Sequence, residues 1–392
     1  MSKKVHETTP WGLSLAVEAA NSLTAQWCTR CGDGDFVLSG AGLWPLLALL
    51  ASAADEQAGA ELEGVVGWRA SGAMRAALEL IDILRTGEST TAALGVWTRD
   101  GIPLHDDWAS QLPEGVIGTL TDQAALDRWA AEGTDGLIEK FPLQLNPGIL
   151  LVLASALATR VKWVEPFDSR PRNGDHWEPG EPDQQWLSRN THDLYRAAVI
   201  DRSVTRVVVE GDGDVDVHLL LGDLEPAEVL STGLRALAGD ALPIHADISD
   251  RDGPGLKVRR VRSAYPRDVL RVELPSFEIK SRHNLMREAD LFGLRSLSDP
   301  GVSHLPLLSP VPLFVSQGVQ DVLARFFAEG FEAAAVTAFG IALGGLPPED
   351  RYEVKYVNVT FDRPFGFLAV HRPSGLAVVA GWVSSPFEGE AR

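Results

Sequence analysis

The chain has 392 residues, 45% hydrophobic and 23% charged, an ordinary globular composition with enough apolar material for a large core. Its 35 Lys and Arg against 54 Asp and Glu give a net charge of −19. That charge favours solubility and repels nucleic acid and anionic membranes, so neither is expected as a partner.

The opening MSKKVHETTPWG has no apolar stretch behind its lysines, so a cytoplasmic location is the expectation. Next, LSLAVEAANSLTAQW spaces Leu13, Val17, Ala20, Leu23 and Trp27 three or four apart, the stripe of an amphipathic helix. A second helix is expected from Pro45. The uncharged runs 36–54 and 141–159 are long enough to span a membrane. Both carry Pro and polar residues and are expected as buried strands and helices. Cys28 and Cys31 form a lone CxxC at the end of the first helix. One such pair supplies half a tetrahedral zinc site and no nearby His pair completes it, which leaves plain thiols or a local redox disulfide and no metal.

Residues 149–158, ILLVLASALA, lack charge and alternation, as expected of a strand covered on both faces in the middle of a large sheet. Residues 163–190 are rich in Pro, Gly and Asp and read as an exposed excursion. VTRVVVEGDGDVDVHLLLG predicts a hairpin turning at Gly211-Asp212-Gly213, and FGFLAVHRPSGLAVVAGWV another around Pro373-Ser374-Gly375. No composition shift marks a boundary, so 1–392 reads as one α+β unit, helices mostly early and strands mostly late.

A search for catalytic chemistry returns nothing. GAGLWP at Gly40 has Pro45 where a dinucleotide loop needs its third glycine. GxSxG, HExxH and phosphate-loop patterns are missing, and the nine histidines are scattered. No enzyme activity and no cofactor are expected.

One stretch, AEGFEAAAVTAFGIALGG (328–345), fits neither helix, strand nor solvated loop, and it abuts the polar PPEDRYEVK. Taken alone it reads as an Ala-rich linker between two β elements. Period-2 alternation sets Phe331, Ala333, Ala335, Thr337, Phe339 and Ile341 on one face, and Glu332, Ala334, Val336, Ala338 and Gly340 on the other.

Four segments together resemble the serpin family over residues 11–386. DRWAAEGTDGLIEKF carries Trp129, Thr134, Gly136 and Ile138; LVLASALATRVKWVEPFD carries Lys162, Trp163, Pro166 and Phe167. VELPSFEIKSRHNLMREADLFGL is similar to that family's Leu-Pro-x-Phe strand followed by a helix and a Gly, and FDRPFGFLAVHRPSGLAVVAGWVSSP to its terminal hairpin. The resemblance implies a single α+β serpin domain with a large central sheet, further sheets and an exposed reactive-centre loop, here 328–356. It implies a monomeric suicide inhibitor of a serine or cysteine protease, extracellular in many members. The loop's hinge would be Gly330, Phe331, Glu332, Ala333, Ala334, Ala335, Val336 and Thr337, entering the central sheet as a strand after cleavage. A non-inhibitory binding or carrier protein of the same fold is the alternative.

The sequence departs from the family pattern in places. Phe331 stands where inhibitory members carry a small residue, a bulk expected to slow entry. Gly42, Ser155 and Gln320 align with a Ser, Asn and His that hydrogen-bond beneath the opening sheet near Ser39; Gly42 has no side chain to contribute, and Gly40 replaces a common Pro. Counting from Gly330 puts the reactive bond at Gly344-Gly345, with Leu343 one step earlier, whereas counting back from Phe361 puts it near Arg351-Tyr352. The hinge count is preferred, because that side must become a strand of fixed length and the far side is only a tether. The implied target prefers small or apolar residues.

Overall fold

The computed structural model describes residues 11–171, 185–331 and 351–385. Helix α1 (Trp11–Cys28) buries Val17, Ala20, Leu23 and Trp27 on the stripe their spacing predicts. Strand β1 (Phe36–Leu38) leads into α2 (Gly40–Ala53), which starts five residues earlier than Pro45 suggests. Ser39 caps α2, its Oγ accepting from Gly42 N at 3.0 Å, and Pro45 lies inside the helix. Gly40 is a packing residue: a Cβ there would stand 2.1 Å from Thr24 Oγ1 and 2.9 Å from Ala20 O, so only glycine lets α2 cross α1 this closely.

Helices α3 (Glu56–Val66) and α4 (Ala70–Thr86) pack with α2 ahead of strand β2 (Thr90–Thr98). The short α5 (Asp106–Ala109), β3 (Ile117–Thr119) and α6 (Gln123–Gly133) precede β4 (Leu151–Thr159), which resumes after Arg160 as β5 (Val161–Lys162). Of the stretch expected as an exposed excursion, the two ends are structured: β6 (Asp168–Pro171) and β7 (Gln185–Thr191) pair, and Trp163, Phe167 and Leu187 are buried, while 172–184 lies outside the described residues.

The first predicted hairpin joins β9 (Val204–Val209), after β8 (Ala197–Ile200), to β10 (Val215–Gly222). Helix α7 (Pro226–Ala238) and β11 (Pro243–His245) lead to β12 (Leu256–Ser263), β13 (Val269–Pro275) and β14 (Phe277–Asn284). Where a helix was expected after β14 there is one 3₁₀ turn, Leu285–Glu288. Then come β15 (Val319–Phe326), the two-residue β16 (Gly330–Phe331) and β17 (Tyr352–Thr360). The 328–356 segment is therefore not all loop: Gly330 and Phe331 form β16, 352–356 belong to β17, and 332–350 lies outside the described residues. The second hairpin pairs β18 (Phe365–His371) with β19 (Leu376–Val383), and Gly375 takes the left-handed φ of 72° that its turn requires.

These strands form an α+β fold with a seven-stranded sheet, β1-β19-β18-β10-β9-β8-β11, and a five-stranded one, β12-β17-β13-β7-β6. The central sheet is in two blocks, β14-β15-β16-β5 and β3-β2-β4. Because β5 continues β4, the blocks join at one end only. Residues 149–158 thus do not sit in mid-sheet. Among the described residues β4 is laddered on one edge, to β2, and its other edge borders a gap facing β15. Its two faces are covered, Val152 and Ala154 on the side of Leu126 and Ala130, Ser155 on the side of α2, and this is what the uncharged sequence records.

Candidate functional site

The gap between β4 and β15 is a slot occupied by two adjoining cavities of about 160 Å³ each. Leu43 and Leu46 of α2 form a shared floor, and the slot runs from Thr159 to Gly148 on the β4 side and from Leu323 to Pro312 on the β15 side. Its lining is mainly aliphatic.

One end is closed by β16, where Gly330 pairs with Lys162, and Phe331 pairs with both Val161 and Phe326. Trp163 secures this closure. Its backbone N–H donates to Glu329 O at 2.9 Å, its indole N–H to Phe327 O at 2.9 Å, and its ring lies 4.8 Å from that of Phe326. Phe331 is buried, 6.2 Å from the Phe367 ring. The bulk expected to slow entry is thus already seated in the ladder.

At the waist of the slot the structure brings Ser39, Gly42, Ser155 and Gln320 together around the start of α2. Gln320 Oε1 accepts from Ser39 N and its Nε2 donates to Ser39 O, both at 2.9 Å. Ser155 Oγ donates to Gly42 O at 2.5 Å from the opposite wall. Gly42 therefore joins through its backbone, with its carbonyl to Ser155 and its N–H to Ser39 Oγ, whose hydroxyl donates to Val378 O at 2.6 Å. Each wall is fastened separately to the helix beneath. Two residues passed over in the sequence extend this arrangement: Ser281 Oγ accepts from Val37 N at 2.9 Å, and His283 Nε2 lies 2.8 Å from Val37 O. Their period-2 spacing on β14 was the available signal.

Among the described residues, two buried oxygens in the slot walls, Thr159 Oγ1 and Asp321 Oδ1, have no hydrogen-bond partner. Burial raises the Asp321 carboxyl, against the lowering by Arg282. Hinge residues 332–337 and the reactive-bond residues Leu343, Gly344 and Gly345 lie outside the described residues.

Elsewhere, Ser374 Oγ sits 2.8 Å from His371 Nδ1, and His371 Nε2 lies 3.5 Å from Asp214. This row resembles a nucleophilic triad, but the hydroxyl also accepts from Leu376 N within its hairpin turn, and neither slot cavity reaches it. It is a turn. Among the described residues no cluster of three or more metal-ligating side chains occurs, and no helix is long and apolar enough to cross a membrane.

A sheet fastened at one end and open beside a strand-length slot defines a class of fold, and comparison identifies the class. Residues 255–386 match the family model described as Serpin (serine protease inhibitor). A serine protease inhibitor from Cyanea capillata is 22% identical over 357 residues, covering 87% of this chain and 89% of that protein. The solved native structure of tengpin, a thermophilic serpin, superposes with TM-score 0.72 at 16% identity, covering 98% of this chain and 96% of that one. Thyroxine-binding globulin in complex with thyroxine gives TM-score 0.70 at 14% identity, covering 95% and 99%. About a third of the chain thus matches the serpin family model, and over most of its length the chain is similar to serpins in sequence and in fold.

Proposed function

We propose that this chain inhibits a serine protease as a suicide substrate: cleavage at Gly344-Gly345 frees residues 332–344 to enter the slot and carry the acylated protease with them. The observation that carries this reading is the register at the closed end. Extending the ladder from Phe331 and Val161 pairs Ala333 with Thr159, Thr337 with Ser155 and Gly344 with Gly148. Extending it from Phe331 and Phe326 sets Thr337 against Gln320 and Gly344 against Leu313. Both walls of the slot end within one residue of these last partners. Thirteen entering residues, 332–344, would span about 43 Å at about 3.3 Å each.

The chemistry agrees with the length. On the face turned to α2 the segment offers Phe331, Ala333, Ala335, Thr337, Phe339 and Ile341, a single polar residue in an apolar row. In this register that residue falls between Ser155 and Gln320, the polar waist of an otherwise aliphatic slot. Arg351 N donates to Ser263 O at 3.0 Å and Tyr352 opens β17, so the bond after Arg351 lies in backbone already paired in a sheet and not free to pair with a protease. This favours the hinge count, and Leu343-Gly344 suits proteases with a small or apolar pocket, of elastase, subtilisin or chymotrypsin type.

The test is incubation with such proteases and electrophoresis in SDS. An SDS-stable adduct, with a released fragment beginning at Gly344 or Gly345, supports the reading. Cleavage with no adduct assigns the chain instead to the non-inhibitory binding or carrier serpins, and an adduct formed by cleavage after Arg351 overturns the register.

A further inference from the structure

In a chain of net charge −19, one strand is markedly basic. Strand β12 reads LKVRRVRS, the turn after it adds Tyr265 and Arg267, and β17 begins alongside with Arg351 and Tyr352, Ser263 pairing with Tyr352. Arg259, Arg262, Tyr265, Arg267, Arg351 and Tyr352 are all exposed, Tyr265 at 67% and Tyr352 at 45%. Part of this charge is answered locally: Lys257 pairs with Asp252, Arg260 with Asp250, and Arg262 stands opposite Glu353 in the ladder. Among the described residues Arg259 and Arg267 form no ion pair, although the Arg259 charge also acts on Asp252.

The simplest account is protection of an edge, since β12 ends its sheet and charged edge strands resist pairing with other chains. That explains the cations of β12. It does not explain Arg267 in the turn, or the exposure there of two of the chain's four tyrosines. Arg and Tyr together are the composition of protein-interface anchors, whereas a polyanion needs cations alone. The place also matters. Gly344 precedes Arg351 by seven residues, a reach of at most about 25 Å of extended chain, so a protease at that bond must stand close to this face.

We propose that the Arg/Tyr face formed by β12, the β12–β13 turn and the start of β17 is a docking surface for an acidic face of the target protease. The identity of the docked protein rests on the inhibitory reading above. Against a molecule otherwise strongly negative, this face supplies local attraction and orients the encounter at the loop.

The experiment uses an elastase-type protease with an acidic rim around its active site, made inactive at its nucleophile, and measures its association rate with the full chain from about 0.02 M to about 0.5 M salt. The parent rate should fall at least about tenfold over that range, and Arg259→Glu with Arg267→Glu should lower the low-salt rate about tenfold and flatten the salt dependence. The same double variant should keep the parent's ratio of adduct to cleaved chain with the active protease. An unchanged rate and salt slope in the variant overturns the proposal. So does binding of a sulfated polysaccharide that is lost in the variant while protease docking stays the same. Because the inactive protease cannot acylate, salt-dependent docking without any adduct from the active form would remove the trapping reading and leave the surface standing.

Discussion

Gln320, on the edge of β15, bonds both the N–H and the carbonyl of Ser39, the residue that caps α2. Replacing it with leucine removes both partners from a buried backbone unit, at about 1–3 kcal/mol for each group left unsatisfied. Gln320→Leu should lower the urea midpoint of the uncleaved chain, and should loosen that wall of the slot. A midpoint within error of the parent would show that water or a shifted backbone replaces the bonds.

Ala334 pairs with Ala158 in the proposed register, on the face turned to α6. Ala334→Arg asks the entering strand to carry a charge beneath that helix, while 334 lies well before the proposed bond. The expected result is a substrate: complete cleavage and few adducts. Adducts formed as efficiently as by the parent would refute insertion on this register.

Thr337 is the only polar residue of the face that would meet Ser155 and Gln320. Thr337→Val keeps the shape and deletes the hydroxyl, so the native chain should be unaltered and the cleaved form less stable by about 1 kcal/mol. Thermal unfolding of both forms separates the two effects; a loss confined to the uncleaved chain would place Thr337 elsewhere.

His218 is buried in β10, and burial, reinforced by Arg206, pushes its imidazole down to about 3. It stays neutral in the folded chain while the unfolded chain takes up a proton below its ordinary value of about 6.5. The folded state then binds fewer protons, so this contribution is complete above about pH 6.5 and is lost as pH falls towards about 3, with a limiting slope of about 1.4 kcal/mol per pH unit. Burial also lowers His283 and His371, and the three act in the same direction. His218→Leu should reduce the slope between pH 5 and 6 towards what the other two supply, read from denaturant midpoints at the two pH values.

Cys28 is buried and its thiol is driven up by that burial and by Cys31, whose own thiol burial and Glu288 push up to about 12. Both are therefore protonated at neutral pH and poor nucleophiles. Alkylation by iodoacetamide at about pH 8 should be slow in the native chain and fast in denaturant. Rapid labelling of the native chain would mean that the end of α1 opens.

Some of this protein was settled by short-range pattern. The α1 stripe, the β9–β10 and β18–β19 hairpins and the alternation of residues 331–341 depend on neighbours in sequence, and the order of the four family segments fixed the fold they build. What remained depended on partners far along the chain. Ten uncharged residues in β4 report that both faces are covered, but a backbone edge leaves no mark in side-chain composition, so its unladdered side became visible only beside β15. Trp163 and Phe167, at the start of a stretch that reads as exposed, are buried because Phe326, more than 150 residues later, packs on them. Gly42 cannot be read as part of a hydrogen-bonded cluster when its contribution is a carbonyl that every residue possesses. Only the fold turns that carbonyl towards Ser155, and only the fold sets β17 beside β12, because hydrogen-bond direction and strand adjacency are properties of the assembled backbone.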